Sequence, residues 1–247
     1  PEEFNRQTIS KIAKWHFAPT ELSKSNLVNE NVSLKAITVS GNTVIDALFW
    51  VLKQIENDKS KLKKITNLID GILRFDWRNE NYVLITGHRR ENFGDGFLEI
   101  CQGIRKSAMK YNHNHFVYPV HLNPNVQGPV RKMLDGIDNV HLIEPLDYEP
   151  FVYLLKHCYF VLTDSGGIQE EGPSLGKPVL VMRNKTERPE AVSAGTVKLV
   201  GAKKDEIFSS ISKLFDKEEY YNKMSLAHNP YGDGNACSRI IKKLSII

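Results

Sequence analysis

Apolar positions fall along the chain in two rhythms. Between Tyr82 and Val200, six short runs rich in β-branched and aromatic residues occur: Tyr82–Thr86, Phe116–Val120, Val140–Ile143, Tyr159–Thr163, Pro178–Met182 and Val197–Val200. They are continuously apolar rather than alternating, the pattern of strands covered on both faces. Between the first two, Phe97, Ile100, Cys101, Ile104 and Ala108 recur at helical steps. After the last run, Ile207, Phe208, Ile211, Leu214 and Phe215 do the same. Strand–helix alternation requires right-handed crossovers. It predicts an open parallel sheet with helices on both faces, a Rossmann-like α/β domain.

The first 45 residues follow another plan. A helical stretch over Asn5–Lys14 leads to a short strand at Trp15–Ala18, a helix begins after Thr20, and a strand falls at Ala36–Ser40. Two short strands do not form an independent layer, and the sequence opens at Pro1 without a methionine. Residues 1–45 are therefore expected to be the closing part of a further α/β domain whose earlier strands are absent. The alternative is a decoration on a single domain. Gly41–Asn42 and a helix over Thr43–Asn57 would form the hinge, residues 46–230 the sheet domain, and residues 231–247 a closing helix. The Asn229–Gly234 segment is a dense turn signal. After it, Cys237, Ile240, Ile241 and Leu244 form a stripe expected to be a packed face.

Composition narrows the class. With 41% apolar and 25% charged residues, the chain is neither disordered, collagen-like nor a disulfide scaffold. No apolar run approaches the roughly 18–20 residues of a membrane span, and no signal segment opens the chain. Its 33 Lys and Arg against 29 Asp and Glu leave a net charge of +4, dispersed except at Lys61–Lys64. That block reads as a solvated helix face, and without aromatic–basic interleaving no nucleic-acid partner is expected. Three cysteines without a C-x-x-C pair argue against disulfides and zinc. Cys101, Cys158 and Cys237 read as buried thiols in a reducing cytoplasm.

Ligands of open parallel sheets bind outside the carboxyl ends of the strands, so the residues following each run are the candidate site. The most informative are Asp164-Ser165-Gly166-Gly167-Ile168-Gln169-Glu170-Glu171. Glycines at a strand-to-helix turn admit a ligand to the backbone, and free N–H groups there favour a phosphate. Ser165 adds a hydroxyl. Glu171, one helical turn on, can turn two oxygens to the paired hydroxyls of a ribose. Together they describe a nucleoside diphosphate site; the bland reading is a tight turn with a surface Glu. His88 and Arg89 end the neighbouring strand, as anion anchors, as a proton donor to a departing phosphate oxygen, or as structural residues. His121 carries the same argument more weakly. Phe151 is either a base-stacking ring or core. No metal-ligand cluster is evident.

Taken together, Thr86–Glu91, Val117–Pro124, Thr163–Glu171 and Thr186–Glu190 resemble the non-hydrolysing UDP-N-acetylglucosamine 2-epimerases, as do Gly41–Asp46 and Asn229–Gly234. The resemblance implies a two-domain fold like that of type-B glycosyltransferases, with UDP held mainly by the second domain and the final helix crossing back to the first. By matching position, Ser165, Gly166 and Gly167 would bind the diphosphate and Glu171 the ribose. Leu146, through its backbone, and Phe151 would hold uracil, with His88 and Arg188 near the phosphates. Arg89 and His121 match positions associated with a second, activating UDP-N-acetylglucosamine, and Glu91 would orient Arg89.

The family inverts C2 of the sugar by anti elimination of UDP to 2-acetamidoglucal and re-addition. Carboxylates move the C2 proton. Of the first-domain carboxylates, only Glu2 is carried here, so the catalytic pair expected is Glu2 and His88. No cofactor and no metal are implied. A homodimer, a cytoplasmic location and a role in polysaccharide biosynthesis are implied. These 247 residues alone are expected to bind UDP weakly at best and not to epimerise. The competing readings are the donor-binding half of a retaining glycosyltransferase and a non-catalytic UDP-sugar sensor.

Overall fold

The computed structural model describes residues 1–245. They divide into two compact units, one made of Pro1–Trp50 with the segment from Pro230 onward, the other of Val51–Asn229.

In the first unit, helix α1 (Glu2–Ile12) is followed by strand β1 (His16–Ala18), helix α2 (Glu21–Asn29) and strand β2 (Ile37–Val39). The strands pair in parallel, His16 opposite Ile37 and Ala18 opposite Val39. Helix α1 starts three residues before the expected Asn5, because Glu2 and Glu3 in its first turn and Lys11 in its last complement the helix dipole. Arg6 then joins Glu3 of the same helix, at 2.7 Å, to Glu30 at the end of α2, at 2.5 Å. Helix α2 is capped by Thr20, whose hydroxyl accepts from Ser23 N at 3.1 Å. Helix α3 (Thr43–Asn57) begins in this unit.

The second unit holds helix α4 (Lys59–Ile72) and then the predicted alternation: β3 (Tyr82–Thr86), α5 (Asp95–Lys110), β4 (His115–Pro119), α6 (Pro124–Leu134), β5 (Val140–Ile143) and α7 (Tyr148–His157). It continues through β6 (Phe160–Thr163), α8 (Ile168–Ser174), β7 (Val179–Val181), α9 (Pro189–Ala194), β8 (Val197–Leu199), α10 (Lys204–Asp216) and α11 (Glu218–Ser225). The strands form one parallel sheet in the order β5-β4-β3-β6-β7-β8. All six apolar runs are strands of that sheet; β3, β4, β6 and β7 are buried on both faces as their continuity predicted, while the edge strands β5 and β8 are partly exposed. Chain order reverses between β3 and β6, so the crevice outside their carboxyl ends is where a ligand belongs. Helix α5 lies directly on α10: a Cβ on Gly103 would stand 3.0 Å from Ile207 Cγ2 and 3.1 Å from the Lys204 carbonyl. A methyl there would force α10 to give by a few tenths of an ångström.

Helix α4 accounts for the basic block. Ile65 and Ile69 are its buried stripe, while Lys63 and Lys64 lie on the solvated face. Lys61 reaches Glu149 at 2.6 Å.

Helix α12 (Ala236–Leu244) returns to the first unit. The Asp46 carboxylate accepts from the amides of Ala236 and Cys237, at 3.0 and 2.8 Å, capping its start. Two expectations fail on this helix. Its apolar stripe is not packed, since Ile241 is 64% and Leu244 49% exposed. Cys237 is exposed as well, whereas Cys101 and Cys158 are buried; all three are free thiols. The stripe has correct helical spacing, but periodicity reports a face and not what covers it. Among the described residues, no helix is long and apolar enough to cross a membrane.

Candidate functional site

At the reversal point between β3 and β6 a cleft of about 220 Å³ opens. Gly87, His88 and Thr86 contribute from the end of β3, His121 and Pro119 from β4, Leu146 from the segment after β5, and Ser165 from β6, while Phe151 enters from α7. Phe151, read as base-stacking or core, is therefore a cleft residue.

One buried acid organises the mouth. Asp164 is fully buried at the end of β6, and its Oδ2 accepts from the amides of His88 at 2.9 Å and Arg89 at 2.8 Å. Gly87 is held from the other side, its carbonyl accepting from the Tyr118 hydroxyl at 3.0 Å. A Cβ on Gly87 would meet that hydroxyl at 3.0 Å and Met182 Cε at 3.3 Å. The backbone thus turns sharply and presents the His88 ring, half exposed, stacked on His121 at 5.1 Å between centroids. His121 Nδ1 accepts from the Asn123 amide at 3.1 Å.

The turn into α8 is the anion-binding element. Ser165 N donates to Thr163 Oγ1 at 2.9 Å. The amides of Gly166, Gly167 and Ile168 have no acceptor among the described residues. With only seven residues, α8 supplies a small dipole, and most of the positive charge comes from two guanidinium groups. A Cβ on Gly166 would lie 3.7 Å from Arg89 Nη2 and 3.9 Å from Arg188 Nη2. The glycine keeps the gap between two arginines open.

Arg188 is held in place. Arg188 Nε pairs with the buried carboxylate of Glu170, and its amide donates to Thr186 Oγ1 at 3.0 Å. The Thr186 hydroxyl in turn donates to Gln169 Oε1 at 2.6 Å. Arg183, only 7% exposed, bridges Glu91 at 2.6 Å and Glu187 at 2.7 Å. This overturns the expected pairing of Glu91 with Arg89: the Glu91 carboxylate belongs to Arg183. Arg183 holds the Glu187 carboxyl down at about 2, chiefly through its hydrogen bonds.

Glu171 sits one turn into α8 as expected, but it is only 7% exposed and accepts from the Tyr148 hydroxyl at 2.7 Å. Burial pushes its carboxyl above the usual range. The Tyr148 hydrogen bond opposes that rise and the Glu170 charge adds to it.

The second unit therefore gathers His88, Arg89, His121, Leu146, Phe151, Ser165, Gly166, Gly167, Glu171 and Arg188 around the carboxyl edge of one sheet. Glu2 belongs to the other unit, exposed in the first turn of α1. Asp164, Arg183 and Tyr148 were given no role by sequence reasoning. The first two already stood at strand ends, where a charged residue was the available signal. Among the described residues, no group of three metal-ligating side chains occurs.

The family described as UDP-N-acetylglucosamine 2-epimerase matches residues 1–245. The chain is 54% identical over 244 residues to the UDP-N-acetylglucosamine 2-epimerase of Campylobacter jejuni, covering 99% of this chain and 63% of that protein. It is 52% identical to that of Escherichia coli K12, covering 64% of it. Among solved structures, the UDP-GlcNAc 2-epimerase of Neisseria meningitidis bound to UDP-GlcNAc matches with a TM-score of 0.90 at 49% identity. That match covers all of this chain and 65% of the other. The S. aureus MnaA–UDP co-structure matches with a TM-score of 0.86 at 41% identity, with the same coverage. The chain thus spans a little under two thirds of these relatives, and the parallel-sheet α/β fold is the one they carry.

Proposed function

Because the chain belongs to the UDP-N-acetylglucosamine 2-epimerase family, we propose that the whole protein interconverts UDP-N-acetylglucosamine and UDP-N-acetylmannosamine. The Val51–Asn229 unit supplies its UDP site. The observation that carries this reading is the mouth of α8: three unclaimed amides, a serine hydroxyl and two guanidinium groups converge around Gly166. A carboxylate lies one turn on, at Glu171. That is the donor set for a diphosphate followed by the acceptor for a ribose. Leu146 and Phe151 line the apolar side, suited to a uracil ring.

The chemistry asks for three things. A carboxylate takes the weakly acidic C2 proton, and the C–H electrons form the C1–C2 double bond. The C1–O pair leaves with UDP, whose growing charge the amides and arginines stabilise. His88 donates a proton to the departing oxygen, and return of UDP with reprotonation on the other face of C2 completes the inversion. Glu2 is the carboxylate offered by the Pro1-Glu2-Glu3-Phe4-Asn5-Arg6 stretch, supported by that resemblance alone. Arg89, which reaches Gly166 as closely as Arg188 does, serves the diphosphate. With His121 it is also the candidate contact for a second, activating UDP-N-acetylglucosamine. Three free thiols are compatible with a reducing cytoplasm, and a homodimer follows from the resemblance.

Two measurements test this. Calorimetric titration of UDP into the chain, expected to bind, fails the site assignment if no heat appears. Incubation of the full-length protein with UDP-N-acetylglucosamine in D2O is expected to exchange the C2 proton. Its retention would remove the epimerase reading.

A further inference from the structure

We propose that Asp164 is a positioning residue for His88. Its second carboxylate oxygen takes the Nδ1–H of the ring when an anion enters the cleft, turning Nε2 toward that anion. This rests on the UDP reading above and deepens it by assigning the carboxylate that balances the charge of the doubly protonated ring, whose Nε2–H is the proton given to the departing oxygen.

The argument begins with an orphan atom. Asp164 is fully buried. Its Oδ2 is occupied by two backbone amides, and the Asn92 amide nitrogen stands 3.5 Å away. Among the described residues its Oδ1 has no hydrogen-bond partner. Leaving a buried carboxylate oxygen unsatisfied costs more than an average hydrogen bond gains. Holding the β3 turn needs only one of the two oxygens; the other is left for something else.

The side-chain nitrogen facing that oxygen is His88 Nδ1, at 3.8 Å. That is about 0.6 Å beyond the upper end of hydrogen-bond range. The ring is half exposed and stacked on His121 with an interplanar angle of 14°. Closing the gap needs the ring to move toward Asp164, which its half exposure permits. The two ring nitrogens point to opposite sides, so a Nδ1–H fixed on Asp164 leaves Nε2 directed away from the buried acid. His88 and Ser165 both line the cleft in which the anion would lie. A histidine so held meets a phosphate oxygen with one nitrogen in one orientation, which is what proton delivery to a leaving group needs.

The test is which ring nitrogens of His88 carry protons, read from long-range 1H–15N spectra of 15N-histidine-labelled protein at pH 7. The His88 signals are identified by their loss in His88→Gln. With saturating UDP, wild type is expected to show protons on both ring nitrogens. In Asp164→Asn, whose amide oxygen still accepts from the two backbone N–H groups, an NH2 faces Nδ1 instead. The ring is then expected to lose the Nδ1 proton and keep the neutral Nε2–H form, with about a tenfold loss of UDP affinity. An unchanged protonation pattern in the variant overturns the proposal. Should Asp164→Asn not fold, wild type decides alone: a ring without a proton on Nδ1 in the UDP complex is equally fatal. If wild type binds no UDP, it is the nucleotide reading that fails, and inorganic pyrophosphate then serves as the anion for the same measurement.

Discussion

The phenol of Tyr148 donates a 2.7 Å hydrogen bond to the carboxylate of Glu171, across from the first turn of α7 to the buried face of α8. Burial raises the Glu171 carboxyl and Tyr148 pulls it part of the way back. The hydrogen bond therefore keeps an acid ionised where the reading requires it to accept two ribose hydroxyls. Removing the hydroxyl in Tyr148→Phe raises that carboxyl further, so it becomes protonated at a higher pH. The expected outcome is a UDP affinity within about threefold of wild type at pH 8. At pH 5.5 the loss is roughly five- to tenfold, about one hydrogen bond's worth. Calorimetry across pH checks it, with 2′-deoxyuridine diphosphate expected to show a smaller difference. Parallel pH profiles for the two proteins would refute it.

The parallel sheet was legible because double-sided burial leaves unbroken apolar runs, and Tyr82–Thr86 matches its strand residue for residue. Of helix α4 only the solvated face was read, because lysines at 61, 63 and 64 crowd the turn that precedes its buried Ile65 and Ile69. Local chemistry was legible too: Ser165, Gly166 and Gly167 are contiguous, and Glu171 follows at one helical turn. What was not legible is pairing at a distance. Arg183 and Glu91 are 92 positions apart, and no periodicity reports which acid a buried arginine will meet. Glu91 was matched with its neighbour Arg89 for want of that information. Asp164 looked like part of a turn motif, and only the fold shows its carboxylate holding the end of another strand.

Arg183 ties the turn that carries Arg89 to the loop that carries Arg188, through Glu91 and Glu187. Replacing it by methionine leaves two carboxylates without their cation. Both are about half exposed, so the expected loss is about 1–2 kcal/mol, below the 3–5 of fully buried pairs. The sign with pH is specific. Glu187 titrates at about 2 in the folded chain against an ordinary 4.5, so its contribution is complete above pH 4.5 and lost as pH falls toward 2. Urea unfolding of Arg183→Met is expected to show a shallower acid limb than wild type, and UDP binding weakens with it. A variant as acid-sensitive as wild type would rule out this linkage.

Gly166 is not required by the backbone, since its φ is not in the left-handed region and a Cβ there meets nothing closer than 3.7 Å. Gly166→Ala is therefore expected to fold with unchanged circular dichroism and a melting temperature within about 2 °C of wild type. The added methyl occupies the gap between Arg89 and Arg188 that the reading gives to the diphosphate. UDP affinity is expected to fall at least about tenfold, equivalent to about 1.4 kcal/mol. Full affinity in a well-folded variant would move the phosphate site elsewhere.

Far from the cleft, at the opposite edge of the sheet, His115 Nδ1 lies 3.0 Å from His141 Nε2 and His115 Nε2 lies 3.2 Å from Glu80 Oε2, with Phe75 stacked on His115 at 3.8 Å. Burial first, and the neighbouring His115 second, pull His141 down to about 4 from 6.5. The unfolded chain therefore takes up this proton before the folded one does. Its effect on stability is absent above pH 6.5 and becomes a growing penalty as pH falls from 6.5 to 4. Each pH unit in that window removes up to about 1.4 kcal/mol, reduced by solvent screening of a half-buried ring. His141→Gln, which retains an acceptor for His115 and cannot titrate, is expected to flatten unfolding free energy between pH 6.5 and 4. Urea melts at half-unit intervals check this. Wild type and variant losing stability in parallel through that window would exclude His141 as the group responsible.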